Sequence, residues 1–363
     1  MPRAQADNLK VLVVDDSATV RTVMQSILST DARISVSTAP DALIAWAKLQ
    51  KEPADVVITD LEMPRMDGLT FIRKIMAEAP RPVVVCSGLA ARGTDLAIRA
   101  LEEGAIDVIT KPKVGVRDFL HESAVILLDA VWSASQAQLQ AKQPLTAEPR
   151  RTADAVLPHR GTTFPAVTSE RVIAVGSSTG GTEALRVFLK AMPSDCPPIL
   201  IAQHMPEGFT RAFADRLNGE CAIGVKEASQ GDRLYPGTAF IAPGNLHMLL
   251  ERTRAGLSIQ LSDGPLVSRH RPSVDVLFRS VAMSVGPKAT GVILTGMGDD
   301  GAQGMIEMKA SGSVNIAQDE ATCIVFGMPK EAIARGAVDF VVPLQGIANE
   351  VLQRGFAGAS GIR

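Results

Sequence analysis

Gly176, Ser178 and Gly180 form a G-x-S-x-G pattern after the apolar run from Arg171 to Val175 and before the helix-forming stretch Thr182 to Leu189. A serine on a tight strand-to-helix turn presents its Oγ as a nucleophile. The plainer reading is a glycine-rich turn whose serines only cap the next helix. A nucleophilic serine needs a base, and the chain has five histidines. His204 directly follows the apolar run PILIAQ, at the sheet edge expected for Ser178, and is the best placed of them. His247, in APGNLHMLL, is a weaker choice. So is His270, whose neighbours Arg269 and Arg271 would hold its pKa low, although that arginine pair could orient an anionic substrate. For the carboxylate that orients the imidazole, TGVILTGMGDDGAQGM offers Asp299 and Asp300 just after another apolar run.

A second constellation lies earlier. Asp15 and Asp16 end the first apolar run, Asp60 the third and Ser87 the fourth, and Lys111 follows the fifth. In an open parallel sheet the carboxyl ends of the strands border one crevice, so the five side chains should meet there. Three carboxylates form a hard oxygen site suited to Mg²⁺. A lysine and a hydroxyl opposite them suit the oxygens of a phosphoryl group carried by one carboxylate.

Two nucleotide-binding patterns fail on chemistry. Gly296, Gly298 and Gly301 spell G-x-G-x-x-G, and Asp319 lies 18 residues after Gly301. A pyrophosphate there would face a helix start that already carries Asp299 and Asp300. A phosphate-binding G-x-x-x-x-G-K-[ST] loop is absent, since Thr182 stands where its lysine should be.

The elements that must carry these residues read as two sets. Between Lys10 and about Ser135, KVLVVDD, ISVSTA, ADVVITD, PVVVCSG and DVITK alternate with helix-period segments, and from Arg171 to Gln353 VIAVG, PILIAQ, TAFIAPG, LSIQLS, TGVILTG, SVNIAQD and FVVPL do the same. The expected fold is α/β, with two doubly wound parallel-sheet domains. Residues 1–135 form the first, 136–168 a Pro-interrupted flexible linker, 169–354 the second, and 355–363 a C-terminal tail. His121 and His159 fall in the first domain and the linker. A length of 363 residues fits two or three domains. A net charge of -2 argues against nucleic-acid or anionic-membrane binding. Four scattered cysteines without metal-ligand spacing read as a reducing compartment, and no run approaches a membrane span. The expected location is the cytoplasm.

The first half resembles the receiver domain of response regulators through VLVVDDSATVR, DVVITDLEMPRMDGL, VVVCSGLA and DVITKP. That implies a flavodoxin-like fold, phosphorylation of Asp60 by a chemotaxis histidine kinase, Mg²⁺ held by Asp15, Asp16 and Asp60, and read-out through Ser87 and Lys111. Val108 departs from the family, standing where many receivers carry an aromatic switch residue. The second half, through GSSTGGTEAL, IAQHMP, SRHRPSVDVLF, ILTGMGDDGAQGM and CIVFGMPKEA, resembles the catalytic domain of the chemotaxis protein-glutamate methylesterases. The resemblance implies a Rossmann-like domain with Ser178, His204 and Asp300 as a triad and no cofactor in that half. It also implies oxyanion contributions around Thr179 and Met297. Its substrates are glutamate γ-methyl esters, and glutamines by deamidation, on the helical rods of methyl-accepting chemotaxis receptors. The different-class alternative is a non-catalytic response-regulator adaptor that binds receptor or kinase.

Overall fold

The structure is a computed structural model and describes residues 8–88, 91–111, 117–137, 171–254 and 256–353; the side chains of residues 91–95 and 117–123, His121 among them, are outside that description. Residues 138–168 of the expected linker, with His159, and the expected tail at 355–363 also lie outside it.

The first half runs β1 (Leu9–Val14), α1 (Ala18–Leu28), β2 (Ile34–Ala39), α2 (Ala42–Lys51), β3 (Val56–Thr59), α3 (Gly68–Glu78), β4 (Val83–Ser87), α4 (Ala91–Glu102), β5 (Asp107–Thr110) and α5 (Arg117–Ser135). All pairings are parallel, in the order β2-β1-β3-β4-β5 of flavodoxin-like sheets. VVIT and VVVCS are buried at every position because helices cover both faces of the sheet. Met24, Leu28, Leu127 and Val131 of α1 and α5 pack on Val11, Val13 and Val84. Phe71, Ile72 and Ala97 of α3 and α4 share a core with Val57 and Val85 on the other face. Ser17, Asp41 and Asp67 cap α1, α2 and α3 by accepting the N–H groups of Val20, Ile44 and Thr70.

The second half runs β6 (Val172–Ser177), α6 (Gly181–Lys190), β7 (Ile199–Gln203), α7 (Phe209–Glu220), β8 (Gly224–Glu227), β9 (Thr238–Ile241), β10 (His247–Thr253), β11 (Gly256–Ser262), α8 (Val274–Val285), β12 (Ala289–Ile293), α9 (Ala302–Ala310), β13 (Val314–Gln318), α10 (Met328–Ala334), β14 (Phe340–Val342) and α11 (Leu344–Gln353). Seven strands form a parallel sheet ordered β14-β13-β12-β6-β7-β9-β8. The chain winds outward from β6 through β7 and later returns to place β12 on the other side of β6. Ligands bind beyond the carboxyl ends of strands at such a reversal.

LSIQLS is not one of those strands. It forms β11, paired antiparallel with β10 in a separate hairpin. Its strict apolar-polar alternation suits a ribbon buried on one face, with Leu257 and Ile259 inward, whereas a central parallel strand is apolar on both.

The two halves touch. α4 packs against α6 and α7, and Arg216 of α7 pairs with Glu102 of α4.

Candidate functional site

Three adjacent strands deliver the candidate triad. Ser178 follows β6, His204 follows β7, and Asp300 lies beyond β12, just before α9. The turn at Ser178 depends on glycine twice. Gly180, with φ 76°, occupies the left-handed region before α6. A Cβ on Gly296 would come within 2.8 Å of Ser178 Cβ, so that loop approaches the serine only without a side chain. Gln203, which the sequence reading passed over, ties two turns together. Its Nε2 donates to the carbonyls of Ser178 and His204, both at 3.0 Å, and its Oε1 accepts from Ser177 Oγ at 2.6 Å.

Asp300 is 1% exposed and accepts four hydrogen bonds: His204 Nε2 at 2.8 Å, Ser273 Oγ at 2.8 Å, and the N–H groups of Val274 and Asp275 at 2.7 and 3.0 Å. Burial alone would raise its pKa. The hydrogen bond and charge of His204 and the two N–H groups outweigh burial and hold it at about 2. The carboxylate therefore only accepts, and His204 Nε2 is the ring nitrogen that donates to it. His204 Nδ1 is buried and has no hydrogen-bond partner among the described residues, which leaves it open to a proton from a nearby hydroxyl. Asp299 turns outward to Arg335 at 2.6 Å. Neither aspartate caps α9; Gly301 occupies that position, while the N–H groups of Gly301 and Gly304 donate to Asp275 Oδ1 at 2.9 and 2.7 Å.

Ser178, His204 and Asp300 line one cavity of about 450 Å³. No hydrogen bond joins Ser178 to His204. Thr179 and Met297 border the same cavity, and their N–H groups have no acceptor among the described residues.

His270 also enters the site. Its ring stacks on that of His204, with centroids 3.7 Å apart and planes within 5°. Burial first, then the charge of His204, push its pKa down to about 3; Arg269 adds little, so the flanking arginines are not the main cause. Only the tertiary fold brings this ring against His204, so spacing along the chain gave no signal for the stack, although His270 itself was a weaker candidate base. His247 braces the neighbouring loop, donating from Nε2 to Pro265 O at 2.9 Å and accepting the Ser273 N–H on Nδ1 at 3.2 Å. His204, His270 and Asp300 lie close enough together to share an ion. The stacked rings, however, hold their in-plane lone pairs parallel and do not focus them on one point.

The cavity is closed on one side by the first half of the chain. Val125, Asp129 and Ser133 of α5 line it at four-residue intervals, and Ser133 Oγ touches Met297 Sδ. Thr179 Oγ1 donates to Asp107 Oδ2 at 3.3 Å, and burial pushes the Asp107 carboxyl up to about 6. Val108, buried in β5, borders the same space.

At the other sheet edge, carboxylate oxygens of Asp15, Asp16 and Asp60 lie within 4.8 Å of one another. Lys111 Nζ pairs with Asp15 Oδ2 at 2.8 Å and Asp60 Oδ2 at 2.7 Å. Burial raises the Asp60 pKa against the pull of Lys111, whose own pKa is raised by its two carboxylates in spite of desolvation. Ser87 is buried at the end of β4. The oxygen-only donor set, with Asp16 exposed, fits a small hard cation that keeps part of its water shell.

Residues 173–351 match the CheB methylesterase family model, and residues 11–120 match the response regulator receiver domain model. A protein-glutamate methylesterase/protein-glutamine glutaminase from Geobacter metallireducens is 57% identical over 349 residues, spanning 95% of this chain and 98% of the relative. The chain belongs to the CheB methylesterase family. A second CheB relative, from Rhodospirillum rubrum, is 53% identical over 365 residues, covering 98% of this chain and 99% of its own. The crystal structure of the Thermotoga maritima CheB methylesterase catalytic domain matches with a TM-score of 0.50 at 38% identity, over 51% of this chain and 98% of that one. The four cysteines of this CheB family member are free thiols, and none of its described helices is long and apolar enough to cross a membrane.

Proposed function

We propose that the protein is a phosphorylation-activated serine esterase that hydrolyses glutamate γ-methyl esters on methyl-accepting chemotaxis receptors, and deamidates glutamines there, in sensory adaptation. The observation that carries this reading is the 2.8 Å contact between His204 and Asp300, with the unpaired His204 Nδ1 and Ser178 in one cavity. His204 Nδ1 takes the Ser178 proton as Oγ attacks the ester carbonyl. Asp300 stabilises the resulting imidazolium through Nε2–H. The N–H groups of Thr179 and Met297 stabilise the oxyanion. Methanol leaves with the proton from His204, and water, deprotonated by the same nitrogen, releases the glutamate and regenerates Ser178. A glutamine side chain follows the same path with ammonia as the leaving group.

Residues 1–135 are assigned as the receiver and 169–354 as the catalytic domain, joined by the linker 136–168 and followed by the tail 355–363. Asp60 is the phosphorylation site. Asp15, Asp16 and Asp60 would hold Mg²⁺, which supplies charge neutralisation for the incoming phosphoryl group, and Lys111 and Ser87 would meet its oxygens. The catalytic half uses no cofactor in this scheme. A chemotaxis histidine kinase is the phosphodonor, and the setting is the cytoplasm. Placement of α5 and β5 against the catalytic cavity supports control by obstruction. A phosphoryl group on Asp60 adds roughly -1.5 to -2 charge and biases the receiver toward another packing.

Methanol release from methylated receptor membranes tests the scheme. The full chain should release methanol slowly, and faster once Mg²⁺ and a small phosphodonor are added. Asp60→Asn should remove that increase and keep the slow rate. An absence of methanol release under every condition would leave the adaptor reading instead.

A further inference from the structure

Two arginines that line the cavity flank His270, and hydrogen bonds within the second half of the chain engage only one of them. Arg271 is committed: Nε and Nη2 donate to Asn245 Oδ1 at 3.0 and 2.6 Å, and Nη1 to the carbonyls of Asp263 and Gly264 at 2.8 and 2.7 Å. The Arg269 side chain is 73% exposed and has no hydrogen bond among the described residues. Its backbone is nevertheless held in an uncommon state. Ser268 and Arg269 have φ of 51° and 66°, the left-handed region that side-chain-bearing residues seldom occupy. Val267 and His270 exchange N–H to carbonyl bonds across these two residues at 3.1 and 2.9 Å, and His270 Nδ1 donates to Ser268 O at 2.7 Å. Backbone strain of this kind concentrates at sites that bind or react. Here it holds an exposed guanidinium on the cavity lining.

The group that faces Arg269 belongs to α5. Asp129 Oδ1 lies 3.9 Å from Arg269 Nη1. Asp129 is the middle residue of the Val125, Asp129, Ser133 row that lies along the cavity, with Ile126 and Ala130 beside it. One helix face thus lines the cavity that holds the serine and sets a carboxylate against the exposed arginine. Resting on the esterase reading above, we infer that Arg269 is a substrate-binding residue. It pairs with a carboxylate on an acidic helical segment of the substrate, near the reacting ester, and Asp129 takes that carboxylate's place in the closed chain. A solvent-exposed pair at this distance is weak, so a substrate carboxylate can replace it once the receiver moves.

The test uses the full chain with Mg²⁺ and a small phosphodonor, so that the receiver no longer competes. The steady-state rate of methanol release is measured against the concentration of methylated receptor membranes. Arg269→Glu should raise KM about threefold to fivefold, the upper range for an exposed ion pair, with kcat within about twofold. The dependence of KM on salt should shrink as well. Asp129→Ala should leave the phosphorylated KM unchanged and raise the rate of the unphosphorylated chain. An unchanged KM in Arg269→Glu overturns the inference, and so does a fall in kcat without a rise in KM, because that would place Arg269 behind the His270–His204 stack and not on the substrate. Failure of the unaltered protein to release methanol is a different result, which removes the esterase reading itself.

Discussion

Ser178→Ala should fold normally and lose up to about 10⁶-fold in turnover of methylated receptor, since the members of a catalytic triad act as a unit. Ser178 Oγ takes no part in the hydrogen bonds that shape the turn; those run through the Ser178 backbone, with its N–H on Thr295 O at 3.1 Å and its carbonyl held by Gly181 N–H at 2.7 Å. Removal of one oxygen therefore costs chemistry and little structure. A folded Ser178→Ala protein that released methanol at near the unaltered rate would disprove the nucleophile assignment.

Asp300→Asn should lower turnover by on the order of 10⁴-fold, the scale seen when a triad aspartate loses its charge. Asp299→Asn should stay within a few-fold of the unaltered enzyme, because it gives up only an exposed pair with Arg335. An asparagine at 300 cannot accept from all four present donors, so the start of α8 also loses support, on the order of 1 kcal/mol by analogy with helix caps. Thermal midpoints measured beside the rates separate the two losses. Similar rate losses at 299 and 300 with equal midpoints would put the triad out of register by one residue.

The candidate triad was legible because each residue sits where a sequence signal is local. Ser178 lies between glycines at the end of an apolar run, His204 directly after one, and the aspartate pair inside a glycine-rich turn. In the sequence only family resemblance favours Asp300 over Asp299; in the structure Asp300 meets His204 and the donors of Ser273, Val274 and Asp275, all distant in sequence. His270 ranks only as a weaker base in the sequence, and Gln203 passes unnoticed, because the His204 ring and the Ser177–Ser178 turn that they meet are distant in sequence. The ring stack spans the gap from residue 204 to 270, and Gln203 reads as the polar end of a buried strand. LSIQLS was assigned to the main sheet although its alternation pointed to a one-sided ribbon, a case where the apolar count outweighed the period. The five strands of the first half were readable because β1, β3, β4 and β5 are short, largely apolar runs and β2 alternates on one face.

Ser178, His204 and Asp300 follow three neighbouring strands of a single sheet, and no receiver residue is a member of the proposed triad. Domain movement can therefore uncover the machinery but has nothing to assemble. On the proposed control by obstruction, activation has a ceiling: phosphorylation multiplies the rate by the gain in the fraction of molecules that stand open, and a chain already half open has at most about a factor of two left to gain. The dynamic range of the response is written into the closed interface, in contacts such as Ser133 on Met297 and Asp107 on Thr179, and not into the chemistry. Sequence changes on α5 and β5 could thus retune adaptation without altering the hydrolytic step.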